Sequence, residues 1–539
     1  MAATPERLPL GATLSLREKL ILMSALLTAM FLFALDQSIV STAVPRIVSD
    51  LGGFSTVGWV FTLYLLASTI TIPIVGKLSD MFGRRNYLLF GVALFVVASL
   101  ACGLASSMTW LIAMRGVQGI GGGMIVSCVF ATLGDLFTPI ERARYFAFMT
   151  GMFTFSLMAG PTVGGFLTDG PGWRYCFYMN LPLGLVPLVL ISWRLPAGGG
   201  SGGRVADIDV AGSALLAVAT VAGLLGVTWA GPERGWGAPE TLALLSTAVV
   251  GAVAFVLQER RHPHAIIPLG LFRNVPFVQS VGMTILAASC IFGAIPYLPT
   301  FVQTSLGGTA TQSGLIVVPR ALGLLGTSVV AGQVVARTGR YKPMMVLGAA
   351  LILVSTVLLR SLHQGNSLWV LAGTMGLMGL GEGMVFPMSQ VVVQAAVSQA
   401  QQGVAASTRQ FTMQIAQSFG VGIFGLLLAS WYLSGFVQAT APIEARIPAD
   451  AYTQFKDPTL ALDRPRFEQV SASVEAQPEG TAVLNQARDA QRRSVAAATE
   501  GMFTIAVFAA GLVLAIAVTL RPISLSRGFE PPQGVIDAG

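Results

Sequence analysis

The sequence predicts an all-α membrane protein of fourteen transmembrane helices, laid out as two six-helix bundles plus an inserted pair of helices. Three observations predict it. Fourteen mostly apolar stretches of about 20 residues run along the chain, each long enough to cross a hydrocarbon core. Hydrophobic residues make up 54% of the 539 and charged residues 11%, with a mean hydropathy of +0.72; a soluble globule carries about 25% charged residues. The chain also repeats weakly. Gly76, Gly83 and Arg84 recur as Gly332, Gly339 and Arg340, and the run Gly116-x-x-Gly119-x-Gly121-x-Gly123-Met124 recurs from Gly376 to Met384. Two six-span halves in parallel repeat follow.

In order, the spans are expected at 20–44, 57–75, 87–105, 110–133, 145–167 and 177–193, then 210–230 and 241–257, then 277–303, 314–336, 344–362, 368–390, 405–436 and 500–520. Residues 1–195 form the N-terminal bundle. Residues 196–275 hold a glycine-rich linker, Ala197 to Gly203, and the inserted pair. Residues 276–539 form the C-terminal bundle, interrupted by a long loop at 437–499. Its prolines and mixed charges mark that loop as a polar excursion and solvated cap, with 481–498 helical and running into the last span. No cleavable signal peptide is expected, because the first apolar stretch is too long and carries Asp36 within it.

The net charge of +7 does not point to nucleic acid, because the basic residues sort by side. With the N-terminus inside, the inner segments hold Arg7, Arg17, Lys19, Lys77, Arg84, Arg85, Arg142, Arg144, Arg194, Arg204, Arg260, Arg261, Arg273, Arg337, Arg340, Lys342, Arg521 and Arg527; the short outer loops hold only Arg46, Arg174, Arg234 and Arg360, and the basic residues of the 437–499 loop do not count because that loop is too long. Both termini are therefore expected in the cytoplasm, with a lipid bilayer as surroundings. There is no Gly-x-x-x-x-Gly-Lys-Ser/Thr phosphate loop, His262, His264 and His363 fall in loops, and the four cysteines lack metal-type spacing. No cofactor or metal is expected, and active pumping would draw on an ion gradient.

Charges within the spans are the most informative residues, because each costs about 2.5–3.5 kcal/mol at mid-helix. Asp36 lies about sixteen residues, ~24 Å, from the inner start of its helix. Arg115 in the fourth span lies at a comparable depth, so the two can neutralise each other, either as a permanent ion pair or as one that proton or substrate disrupts. Glu382 interrupts the second glycine run where Gly122 stands in the first; it is a second protonation or recognition group, or a glutamate bonded to a neighbouring helix. Arg409 opens a polar stripe with Gln410, Gln414 and Gln417, suited to helix-to-helix hydrogen bonding. Arg320, just after Pro319, is expected to snorkel to the interface. Gln37, Met149, Phe153, Tyr297, Phe386 and Gln414 are candidates for lining a soft, apolar cavity, although such residues more often face core or lipid. The hairpin of Gly76, Asp80, Gly83, Arg84 and Arg85 is expected to be a cytoplasmic gate with Asp80 as its latch: the acid caps or neutralises the start of the helix that follows and the arginines bridge to neighbouring helix ends, a set of contacts that locks one face shut. Plain topogenic charge is the simpler reading.

These stretches carry a resemblance. Gly76 to Arg85 resembles the loop signature of the major facilitator superfamily, Arg115-Gly116-Val117-Gln118-Gly119 is similar to its second motif, and Gly160-Pro161-Thr162-Val163-Gly164-Gly165 resembles the antiporter motif of its exporters. Leu35 to Pro45 and Trp173 to Gly184 resemble the fourteen-helix drug:proton antiporters of the Emr and Qac type. The resemblance implies the major facilitator fold and alternating access. It also implies proton-coupled export of amphipathic, cationic compounds across a bacterial cytoplasmic (inner) membrane, with Asp36 as a coupling carboxylate; Glu382 departs from the family pattern and is a second coupling candidate on its burial alone. Small amphipathic substrates and protons would be the partners, a periplasmic adaptor protein an optional further one, and a monomer sufficient. Export of a lipid or endogenous metabolite stays open, as does a non-transporting sensor or membrane enzyme.

Overall fold

The computed structural model describes residues 10–525 apart from 54–55, 197–201, 203, 205–206, 230–234, 362–366 and 478. Most of the predicted linker, with Arg234 and His363, lies outside the described residues.

Among the described residues, fourteen helices are long and apolar enough to cross a membrane: α1 Leu16–Leu51, α2 Trp59–Phe82, α3 Arg84–Gly103, α4 Met108–Leu136, α5 Pro139–Asp169, α6 Tyr175–Arg194, α7 Val210–Thr228, α8 Pro239–Arg261, α9 Val275–Ser305, α10 Thr311–Thr338, α11 Lys342–Arg360, α12 Leu368–Ala395, α13 Gln402–Thr440 and α14 Gly480–Thr519. Their ends follow local chemistry. Ser15 and Glu18 form a capping box at the start of α1, as do Thr138 and Glu141 at α5, which also has proline at its first position. A single residue, Gly83, turns α2 into α3 at φ 97°, a backbone region that only glycine enters freely. Gly339 makes the corresponding turn after α10 at φ 70°. Both turns, with the start of α1 and the end of α14, fall on one end of the bundle, here called the hairpin face.

Within the first half α2 and α3 pack on α4, and α1 packs on α5; within the second, α10 and α11 pack on α12, and α11 and α13 on α14. The inserted helices α7 and α8 pack on each other, and α7 also touches α2 and α13. The halves meet along two equivalent lines, α2 against α13 and α10 against α5. Each seam is closed by the repeated glycine: a Cβ on Gly76 would lie 2.6 Å from Ser407 Cβ, and one on Gly332 would lie 2.6 Å from Ala147 Cβ and 2.7 Å from the Ala143 carbonyl.

Two features depart from the sequence reading. Helix α9 is not uniformly α: it passes through π winding at Ala288–Phe292 and Phe301–Ser305 and a 3-10 turn at Ile295–Tyr297. The long loop is better folded than a polar excursion. The helix expected over 481–498 does run into the last span, as the start of α14 at Gly480, and between it and the end of α13 at Thr440 the segment 441–479 holds helices Ala449–Phe455 and Arg464–Glu475. Its apolar residues make a small core: Phe455, Leu460 and Val474 are fully buried, Phe436 stacks on Phe455, and Tyr432 Oη donates to the Phe455 carbonyl at 2.5 Å.

Candidate functional site

Helices α1 and α4 bring Asp36 and Arg115 together. Both side chains are fully buried, and Arg115 Nη1 lies 2.5 Å from Asp36 Oδ2. Asp36 Oδ1 accepts from Gln118 Nε2 at 2.9 Å and from Asn180 Nδ2 at 2.8 Å. Gln118 stands one turn along α4 from Arg115, on the same face, and accepts from Arg115 Nη1 at 2.8 Å. Asn180, near the start of α6, also donates to Ser99 of α3. Arg115 Nε reaches the Val60 carbonyl, and the guanidinium lies 4.0 Å from the Tyr64 ring centre, both on α2. One carboxylate thus ties together five of the six helices of the first half, and its three donors leave little of it unsatisfied. Gln118 and Asn180 are functional residues that sequence reasoning passed over: neutral amides inside quoted motifs, which depth counting on charges does not pick out.

The remaining helix, α5, docks on α1 directly beside this cluster. A Cβ on Gly160 would lie 2.7 Å from Ser38 Cβ, and one on Gly164 would lie 2.6 Å from the Ile39 carbonyl. Gly165 has nothing within 4 Å of such an atom. Two of the motif's glycines therefore permit helix contact, while Gly165 and the exposed Pro161 serve no packing.

Glu382 sits in the middle of α12, fully buried, and its partner is Arg320 of α10, whose Nε and Nη2 lie 3.1 and 2.9 Å from Glu382 Oε1. This corrects the snorkelling expected of Arg320: its side chain is only 12% exposed and turns into the bundle, because Gly379 lets α12 approach the Arg320 backbone closely. Glu382 Oε2 has no partner. The π winding of α9 places Phe292 under the Arg320 guanidinium, 4.8 Å away, and 5.5 Å from Phe386. π turns interrupt helices mostly where function needs a displaced side chain.

Arg409 joins neither carboxylate. It donates from Nε to Ser389, from Nη1 to Gln390 and from Nη2 to the Phe386 carbonyl, at 2.9, 2.9 and 3.0 Å. All three acceptors are neutral, so it is a buried cation that helix α12 solvates. Of the expected cavity residues, Met149 is packed into the core and Phe153 is half-buried against it. Tyr297 Oη donates to the Val421 carbonyl at 2.6 Å. Gln37 is partly exposed, and Gln414 accepts from Thr69 Oγ1 across the two halves at 2.8 Å.

At the hairpin face Asp80 caps a helix, but not the one expected. The following helix α3 has no side-chain cap. Asp80 Oδ2 instead accepts from the Val404 N–H at 2.9 Å, in the first turn of α13 in the other half, where an anion meets unpaired N–H groups and the positive end of the helix dipole. A side chain at Gly403 would collide with that carboxylate. Asp80 Oδ1 holds Arg84 Nη2 at 2.9 Å, and Arg84 Nη1 lies 2.5 Å from Asp135 Oδ2 and donates to the Ala131 carbonyl near the end of α4. Arg85 donates to the Ser192 carbonyl at the end of α6, as bridging arginines were expected to do. Gln394 Nε2 to the Phe130 carbonyl, at 3.0 Å, and Ser328 Oγ to the Ala147 carbonyl, at 3.3 Å, also cross between halves. With the Asp80 and Gln414 bonds, these clasp the halves together in the part of the bundle nearest the hairpin face.

Comparison with known proteins agrees with this architecture. The family model described as Major Facilitator Superfamily matches residues 26–421 and 281–539. The multidrug transporter protein MdtP of Bacillus subtilis is 34% identical over 442 residues, 80% of each chain. Multidrug resistance protein 3 of the same organism is 28% identical over 470 residues, 87% of this chain and 90% of the relative. Among solved structures the proton:xylose symporter XylE superposes with a TM-score of 0.53 at 15% identity, over 91% of this chain and 95% of its own.

Proposed function

The chain belongs to the major facilitator superfamily, a family of secondary transporters and not enzymes, and on that premise we propose that it exports amphipathic, cationic compounds in exchange for protons. The multidrug transporters among its relatives support the cargo class. The bias of Lys and Arg supports a hairpin face in the cytoplasm, and the Bacillus relatives support a bacterial membrane. In that orientation the clasped halves correspond to a transporter shut towards the cytoplasm.

The observation that carries the reading is Glu382: a buried carboxylate with one oxygen on Arg320 and the other without a partner. A proton bound at Oε2 removes the charge that holds Arg320, and the arginine is left to its stacking on Phe292. The Arg320–Glu382 pair lies about two turns along α10 from Ser328, where α10 meets α5 of the other half. A change in that pair is therefore felt at a seam between the halves, and alternating access follows if opening the seam breaks the Asp80–Val404 clasp. Asp36, held by three donors, is the framework on which the first half turns.

Uptake of a fluorescent cationic dye into inverted vesicles tests this. Wild type is expected to accumulate dye only with a pH gradient, and Glu382→Gln to lose about 100-fold or more of the gradient-driven uptake, the lower end of the range over which positioned proton-transfer groups act. Uptake indifferent to the gradient would remove proton exchange from the reading; no dye flux, with flux of a lipid or metabolite instead, would replace the cargo.

A further inference from the structure

A cavity of about 450 Å³ lies on the opposite face from the hairpins, between the 441–479 cap and the outer ends of α9 and α14, within the range typical of small-ligand sites. Three elements build it. Gln303 and Thr304 come from the π-wound end of α9, Phe467, Glu468, Ser471 and Glu475 from the cap helix Arg464–Glu475, and Arg488, Gln491 and Arg492 from the extramembrane start of α14. Nothing in the transport reading uses it, and it would exist whatever the cargo.

The deep wall is rich in donors. Arg488 is half-buried, lies over the Phe467 ring at 5.2 Å and donates from Nη2 to Ser471 Oγ at 3.1 Å, which fixes the guanidinium plane. Its Nε–H then has no partner. Thr304 is 5% exposed, and its hydroxyl is likewise unpartnered. Gln491 Nε2 is a third. Buried donors without acceptors are costly, and a site that keeps three beside an open volume is arranged for an acceptor from outside. The rim differs: Glu468 and Glu475 are exposed carboxylates on the cap helix. Ser305 Oγ, bonded to the Arg492 carbonyl at 3.0 Å, ties the end of α9 to α14 and sets the floor where a spanning helix leaves the apolar layer.

We propose that this cavity binds a zwitterionic head group, its phosphate or carboxylate on Arg488 and Thr304 and its ammonium towards Glu468 and Glu475. Guanidinium is well suited to an oxyanion. The acidic rim disfavours a plain anion, and the donor-rich interior disfavours a plain cation. A phospholipid of the outer leaflet and a small soluble zwitterion present the same groups, and they differ in whether acyl chains add to affinity.

The test uses the purified full chain in detergent, titrated calorimetrically with glycerophosphoethanolamine and, separately, with dihexanoyl phosphatidylethanolamine below its micellar concentration. Saturable binding of at least one is expected, weakened roughly tenfold or more by Arg488→Gln and by Thr304→Val, since each removes a donor to a charged group. Thr304→Val keeps shape and decides the matter if Arg488→Gln loosens the cap, as judged by thermal unfolding. Equal affinity for both probes identifies a soluble ligand; binding of the lipid alone identifies a membrane source. Absence of saturable binding to either probe, or binding that Thr304→Val leaves unchanged in a folded protein, overturns the proposal.

Discussion

Deep in its bundle each half pairs one fully buried acid with an arginine of a neighbouring helix, but at different places in the repeat. In the first half the pair joins α1 to α4; in the second it joins α10 to α12. Superposing the repeats makes the exchange plain: Glu382 occupies the position of Gly122, and Arg320 that of Tyr64. In the first half a side chain at Gly122 would meet the Tyr64 hydroxyl at 3.2 Å. The second half thus replaces a glycine–tyrosine contact with an ion pair at the same spot, while Met375 stands where Arg115 does. The two pairs also differ in how complete they are. Asp36 uses both oxygens with three donors, whereas Glu382 leaves one oxygen unpartnered and has a partner that reaches partly into the open. Around Asp36 the unpartnered atoms are on the donors' side, Arg115 Nη2 and Asn180 Oδ1; a fully bonded carboxylate suits a framework and a half-bonded one suits a switch.

The largest effect should separate these two roles in stability. Arg115→Gln leaves Asp36 charged and buried with neutral donors only, and is expected to cost about 3–5 kcal/mol, the range for removing one partner of a buried pair. Arg320→Gln should cost clearly less, about 1–3 kcal/mol, because Glu382 can hold a proton on its unpartnered oxygen and because Arg320 is the more exposed partner. Thermal unfolding of the purified variants measures both. Equal losses would erase the distinction between framework and switch.

A second contrast is at the hairpin face. The first half sends Asp80 across to cap α13, while the second half, with Ala336 at the matching position, relies on Gly332 packing against Ala143 and Ala147. Asp80→Ala should weaken the clasp by about 1 kcal/mol, as loss of a good helix cap does, a shift of roughly fivefold in the ratio of closed to open. A cysteine at Ser407 on the α2–α13 seam reports it: thiol labelling should rise by that factor in Asp80→Ala. Unchanged labelling would mean that packing alone holds the seam and that the two seams are equivalent.

How much of this was legible beforehand depends on the range of each interaction. Span number and the one-residue Gly83 turn are local properties, written in hydropathy and in a single φ. The Asp36–Arg115 pair was reachable by counting helical rise from each end, because both charges sit deep in long helices. Arg320 was not, since a charge just after a proline at a helix start has the same signature as an interfacial residue; only the approach of α12 at Gly379 turns it inward. Asp80's true partner is a backbone N–H in the other half, which has no sequence signature at all. The cap at 441–479 was misjudged because its apolar residues are few and dispersed, and they become a core only against Tyr432 and Phe436 of α13.

The smallest contrast lies within one motif. Gly160 and Gly164 face α1, and Gly165, one residue further on, faces open space. Gly160→Ala should destabilise by about 1–3 kcal/mol, since the new methyl group overpacks a tight helix seam, and Ser38→Ala should restore part of the loss by removing the hydroxyl it strikes. Gly165→Ala should be neutral to within about 0.5 kcal/mol, or slightly stabilising, because alanine is the better helix former. Unfolding temperatures and dye flux, measured together, divide the motif. If Gly165→Ala leaves the unfolding temperature unchanged and still lowers flux, the empty volume beside Gly165 is part of the path that cargo or the moving half sweeps through. Packing of α5 on α1 would then account for the first two glycines only, and the antiporter motif would be a seam on one face and a clearance on the other.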